Sequence, residues 1–165
     1  MAPDTISTLA ALVGARLNAL HLTLATAESC TGGWVSMAVT SVAGSSQWFE
    51  RGFVSYSNEA KEQLLGVSAS TLASHGAVSE PVAVEMAQGA LRHSLAQLAV
   101  AVTGVAGPGG GTPGKPVGTV CFAWAGPGAK IATSTRYFQG DREQVRRQSV
   151  IAALQGILEN TVDRT

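Results

Sequence analysis

The chain has 165 residues with 11 basic and 11 acidic side chains, three His and two Cys; 45% of it is hydrophobic and only 13% charged, against about 25% charged in ordinary soluble proteins. That length suits one compact domain over residues 1–165, and the abundance of Val, Ile, Leu and Ala at zero net charge excludes disorder. No run approaches the roughly 20 apolar residues of a membrane span, and a neutral chain lacks the basic excess of a general nucleic-acid binder.

The elements alternate along the chain. Residues 4–20 read as a helix with Ile6, Leu9, Leu12, Val13, Leu17 and Leu20 on one stripe; Asp4, Arg16 and Asn18 interrupt it and no basic region precedes it, so an amphipathic helix fits better than a signal peptide. Leu22–Ala27 predicts a buried strand, Thr31–Val42 a helix opened by Gly32-Gly33, and Gly52–Tyr56 a second strand. Asn58 is the expected cap of a helix through Leu65, and a short helix follows from Val67-Ser68 to about Ser74. Ser79 as N-cap with Pro81 in the first turn starts a helix to about His93. Leu98–Thr103 is an apolar strand, the Gly104–Pro116 loop follows, and Val117–Ala125 with Ile131–Phe138 form a hairpin across Gly126-Pro127-Gly128. Asp141–Thr161 closes the chain as a helix. Strands separated by helices, with one late hairpin, define an α/β three-layer α/β/α sandwich with a mixed, mostly parallel sheet.

Ligands of such sheets bind beyond the carboxyl ends of the strands, which singles out the loops after residues 27, 56 and 103. In the first, Glu28-Ser29-Cys30-Thr31-Gly32-Gly33, a hydroxyl at a strand-to-helix turn is displayed at the sheet edge. The amides of Thr31, Gly32 and Gly33 are candidates for holding a phosphate or an oxyanion; equally, Ser29 or Thr31 is a simple helix cap. Cys30 has no adjacent His to lower its thiol pKa and reads as a small buried residue. In the second loop, Lys61 stands in a helical first turn, either as a surface partner of Glu59 or Glu62 or, if desolvated, as a base; reaching a pKa of about 8 takes roughly 3 kcal/mol of unfavourable environment.

In the third, Thr103-Gly104 follows an apolar strand and is placed to line a pocket. Gly109-x4-Gly114-Lys115 approaches a P-loop, but Pro116 stands where a Ser or Thr would ligate magnesium and no helix follows. Arg142 at the last helix start suits a phosphate or carboxylate, while Arg146 and Arg147 read as a solvated face. His21, His75 and His93 form no constellation, and the two Cys, without a CxxC, make neither a disulfide framework nor a zinc site, so no metal or cofactor is expected.

Six segments taken together, Thr26–Gly33, Gly52–Lys61, His75–Pro81, Thr103–Pro108, Lys115–Val120 and Gly140–Arg142, resemble the CinA C-terminal-domain family in order along nearly the whole chain. Its stand-alone members are nicotinamide mononucleotide deamidases, which release ammonia to give nicotinic acid mononucleotide in pyridine nucleotide salvage. The resemblance implies that Ser29 is the nucleophile and that Lys61 and Tyr56 help activate it without metal or cofactor. Thr31, Gly32, Gly33, Thr103, Gly104 and Gly107 would then surround the substrate, and Arg142 would bind its phosphate. It implies a cytoplasmic enzyme acting on a small pyridine mononucleotide, with no nucleic-acid or membrane partner; an apolar, lightly charged chain of this size also suits a homo-oligomer. The alternative is a non-catalytic nucleotide- or partner-binding module linked to competence or DNA damage.

Overall fold

A computed structural model describes residues 4–162; the two ends of the domain expected over 1–165, residues 1–3 and 163–165, lie outside the described residues. The helices are α1 (Thr5–Leu20), α2 (Trp34–Thr40), α3 (Asn58–Leu65), α4 (Ala69–His75), α5 (Glu80–Arg92) and α6 (Arg142–Glu159). The strands are β1 (Leu24–Glu28), β2 (Phe49–Val54), β3 (Leu98–Gly104), β4 (Thr119–Ala125) and β5 (Ile131–Tyr137). They form one sheet in the order β2-β1-β3-β4-β5. β1 pairs in parallel with β2 and β3, whereas β3–β4 and β4–β5 are antiparallel, so only β4 runs against the other four. Helices α1, α2 and α6 cover one face and α3, α4 and α5 the other. This is the expected mixed sandwich.

Each face has its own core. Beneath α1 and α6, Leu17, Trp48, Val100, Phe122, Trp124 and Leu154 are large and buried, each removal of such a side chain from water being worth about 1.5–3 kcal/mol. Two glycines admit the tryptophans: a Cβ on Gly14 would lie 2.8 Å from Trp48, and one on Gly156 2.0 Å from Trp124. The face beneath α5 is alanine-rich, with Ala25, Ala27, Ala99, Ala101 and Ala123, so the helix lies close to the strands.

Local chemistry sets the boundaries. Ser79 Oγ caps α5 by accepting from Val82 N, and Asp141 with Gln144 closes a capping box on α6. Where the boundaries depart from the sequence reading, the causes are specific. α1 uses Leu22 N to bond Leu17 O, delaying β1 to Leu24. Leu12, placed on the buried stripe of α1, is 51% exposed, because the stripe runs through Ile6, Ala10, Val13 and Leu17. Gly32 and Gly33, at φ 59° and 104°, hold a turn that postpones α2 to Trp34. β2 begins at Phe49 rather than Gly52; Glu50 and Arg51, ion-paired at 2.8 Å on an edge strand, disguise it.

Candidate active site

The carboxyl ends of β1, β2 and β3 lie side by side, and a cavity of about 220 Å³ opens above them. Its lining includes Ser29, Tyr56, Lys61, Thr103, Gly104 and Arg142, six residues from four separate segments of sequence.

Ser29 sits one residue past β1, its amide bonded to Val102 O at 3.0 Å. The preceding residue, Glu28, is 1% exposed; its carboxylate accepts from Thr31 Oγ1 (2.6 Å), Val35 N (2.8 Å), Ser36 N (2.9 Å) and Ser36 Oγ (2.7 Å). A buried carboxylate needs such donors, and here two are hydroxyls and two are the Val35 and Ser36 amides in the first turn of α2. From the other side, Arg146 of α6 donates to the carbonyls of Cys30 (3.0 Å) and Thr31 (3.1 Å) while stacked over Trp34. The turn that carries Ser29 is therefore clamped at both flanks, and Arg146 is not the solvated residue expected from sequence.

Lys61 comes from the first turn of α3. The helix is capped by Ser57, whose Oγ accepts from Ala60 N at 3.0 Å; Asn58, the expected cap, instead lines the cavity. Lys61 is buried, and its Nζ donates to Tyr56 O (2.9 Å) and to Ser29 Oγ (3.1 Å). Burial lowers its pKa from the usual lysine range, favouring the neutral amine. Tyr56 reaches this pair through its carbonyl: its side chain is 62% exposed, and its phenol oxygen accepts from Arg142 Nη2 at 3.4 Å.

Thr103 Oγ1 donates to Ala77 O at 2.8 Å, tying the loop before α5 to the end of β3, so Ala77 and Val78 join the wall. At Gly104 a Cβ would lie 2.7 Å from Val120 Cγ2, so the residue lets β3 and β4 close up beside the cavity. Gly107 stands one step back: its carbonyl accepts from Arg142 Nη1 at 2.8 Å, aiming the guanidinium.

The structure does not bring Thr31, Gly32 and Gly33 into this cavity. Thr31 turns its hydroxyl to Glu28, Gly32 N bonds Ser29 O at 3.0 Å, and the three residues line a separate hollow with Trp34, Met37 and Arg146. The Glu28 carboxylate takes the Val35 and Ser36 amides in the first turn of α2, and Thr31, Gly32 and Gly33 are absent from the lining around Ser29. Cys30 is buried, and its thiol pKa is pushed up to about 12, first by burial, leaving it protonated where Ser29 and Lys61 meet. In the glycine-rich loop, Lys115 Nζ donates to His75 O and the next element is β4, an arrangement without the helix of a P-loop.

A serine hydroxyl in contact with a buried, pKa-depressed lysine, with no carboxylate on the cavity wall, has the parts of an amine-assisted serine nucleophile. The chain belongs to the CinA C-terminal domain family, whose model matches residues 6–161. It is 53% identical, over 165 residues and the full length of both chains, to the nicotinamide-nucleotide amidohydrolase PncC of Escherichia coli K12. It is 55% identical over 143 residues to a CinA-like protein of Anaeromyxobacter dehalogenans, a match covering 87% of this chain and 35% of that relative. The crystal structure of the competence/damage inducible protein CihA from Agrobacterium tumefaciens superposes with a TM-score of 0.92 at 44% identity, covering 96% of this chain and 97% of that one. Among the described residues, no helix is long and apolar enough to cross a membrane.

Proposed function

We infer that this chain hydrolyses the carboxamide of nicotinamide mononucleotide to nicotinic acid mononucleotide and ammonia. Full-length likeness to an amidohydrolase of that specificity supports the substrate. The observation that carries the chemistry is the 3.1 Å contact between Lys61 Nζ and Ser29 Oγ.

In this reading Ser29 Oγ attacks the amide carbonyl while neutral Lys61 takes its proton. The tetrahedral intermediate collapses as the proton passes from Lys61 to the leaving nitrogen, so ammonia departs and an ester to Ser29 remains. Water, deprotonated by the same amine, cleaves the ester and restores the serine. Tyr56 O holds the amine in line. Arg142, aimed by Gly107 O and without a carboxylate within 4 Å among the described residues, binds the substrate's phosphate, a role for which a guanidinium fork is suited.

Ammonia release from nicotinamide mononucleotide by the wild-type chain and by Ser29→Ala tests the assignment. Turnover that disappears in the variant supports it. A wild-type protein that binds the nucleotide calorimetrically without releasing ammonia would instead establish a binding module.

A further inference from the structure

Among the described residues, one buried side-chain oxygen or nitrogen has no hydrogen-bond partner: Ser55 Oγ, on a residue with no solvent exposure. An orphaned hydroxyl bears its desolvation cost with nothing to offset it. Ser55 stands one residue past β2, and its amide donates to Glu28 O at 2.8 Å. The β1–β2 ladder is thereby carried one step beyond its last pair, Glu28 and Val54.

Side chains alternate between faces along a strand. Phe53 packs with Ala25 and Ala27 in the cluster beneath α5, whereas a Cβ on Gly52 would meet Ser36 and Thr26 on the opposite face. The alternation sets Ser55 on the Phe53 face, in the row next to Ser29. This is the side covered by α3, and α3 carries Lys61 over Ser29.

Lys61 gains a further hydrogen-bonding requirement there when it takes the Ser29 proton. Its two contacts are Tyr56 O and Ser29 Oγ, yet an ammonium has three N–H donors. No carboxylate lines the cavity to receive the third. We propose that Ser55 is a positioning residue whose hydroxyl, through one buried water, accepts the remaining Lys61 N–H and so holds the amine against Ser29 during proton transfer. The inference rests on Ser29 and Lys61 being nucleophile and base.

The groups facing Lys61 leave this role open to a hydroxyl. Cys30 from the β1–α2 turn is a neutral thiol, and Tyr56 and Arg142 lie on the cavity wall. α5 buries no charged residue, and Glu59 and Glu62 belong to Lys61's own helix. A hydroxyl that accepts from the ammonium favours the charged form, opposing the effect of burial.

The test uses Ser55→Ala and Ser55→Thr with two readouts. The Lys61 titration midpoint is read without substrate by NMR of 13Cε-lysine protein, its resonance assigned by its loss in Lys61→Met. The second readout is kcat and KM for nicotinamide mononucleotide across pH. Ser55→Ala is expected to keep or raise Tm, to lower the Lys61 midpoint, and to reduce kcat about tenfold with KM within twofold; Ser55→Thr restores both. Wild-type kcat and midpoint in Ser55→Ala overturn the proposal, as does a fall in Tm with an unmoved midpoint. A shifted midpoint in a protein that releases no ammonia supports the Ser55 contact and overturns the substrate assignment instead.

Discussion

Glu28 and Ser36, eight residues apart, are joined twice: the Ser36 amide and hydroxyl both donate to one carboxylate oxygen, at 2.9 and 2.7 Å. The contact anchors the start of α2 to the end of β1, immediately beside the proposed nucleophile. Glu28→Ala leaves the Val35 and Ser36 amides buried and unpaired. It is expected to cost about 3 kcal/mol or more, read as a lower midpoint in denaturant unfolding. A loss below about 1 kcal/mol would show that water replaces the carboxylate without penalty.

Ser29→Ala removes the proposed attacking oxygen and leaves the clamp around it intact. Ammonia release from nicotinamide mononucleotide is expected to fall at least a thousandfold, with Tm close to wild type. Trapping by a fluorophosphonate should disappear with it, and labelling that persists would relocate the nucleophile.

Lys61 links activity and stability to pH. Its folded pKa lies below the usual value of about 10.5, so the folded state holds fewer protons than the unfolded chain between those two pH values. Stability therefore rises with pH across that window, and the penalty for the buried charge is fully present below the folded pKa. kcat/KM should rise with pH through the same folded pKa. Lys61→Met is expected to abolish turnover and flatten the alkaline rise in stability, as followed by urea unfolding at several pH values.

Arg142 is expected to act on the phosphate alone. Arg142→Ala should raise KM for the mononucleotide about tenfold or more and leave kcat/KM for the corresponding nucleoside amide, which lacks the phosphate, unchanged. Equal losses on both compounds would place Arg142 in the chemistry instead.

The thiols supply a negative control for the nucleophile. Cys30 and Cys121 are both free and buried, and burial raises the pKa of each. Neither should react with iodoacetamide at pH 8 until the protein is unfolded, as read by mass spectrometry. Rapid alkylation of Cys30 in the native protein would restore it as a rival to Ser29.

The layers and most element boundaries were legible because helix caps and apolar strands announce themselves locally: Ser79, Asp141 and the Leu98–Thr103 run each needed no tertiary information. The same holds for the strand ends that meet at the cavity. What stayed hidden depends on partners distant in sequence. Arg146 resembles any surface arginine until α6 packs against the Ser29 turn, and the amides of Gly32 and Gly33 resemble an anion site until the turn is seen to line a hollow apart from Ser29. Glu28 did leave a signal, since a carboxylate closing an apolar strand requires buried donors. Ser57 and Asn58 were both competent caps, and only the Ser57 contact with Ala60 N decides between them.

The reversal of β4 has a consequence for how the cavity changes over evolutionary time. Because β3 and β4 are antiparallel neighbours, the chain leaves the sheet at Gly104 and re-enters it at Thr119, on the same edge and beside the cavity. Insertions in the intervening loop can lengthen it without shifting the register of either strand, and the entropic cost of extra loop grows only slowly. The loop's ties to the rest of the site are confined to Gly107 O, which holds Arg142, and Lys115, which donates to His75 O. A longer or shorter loop there leaves the strands that carry Ser29 and Thr103 in register.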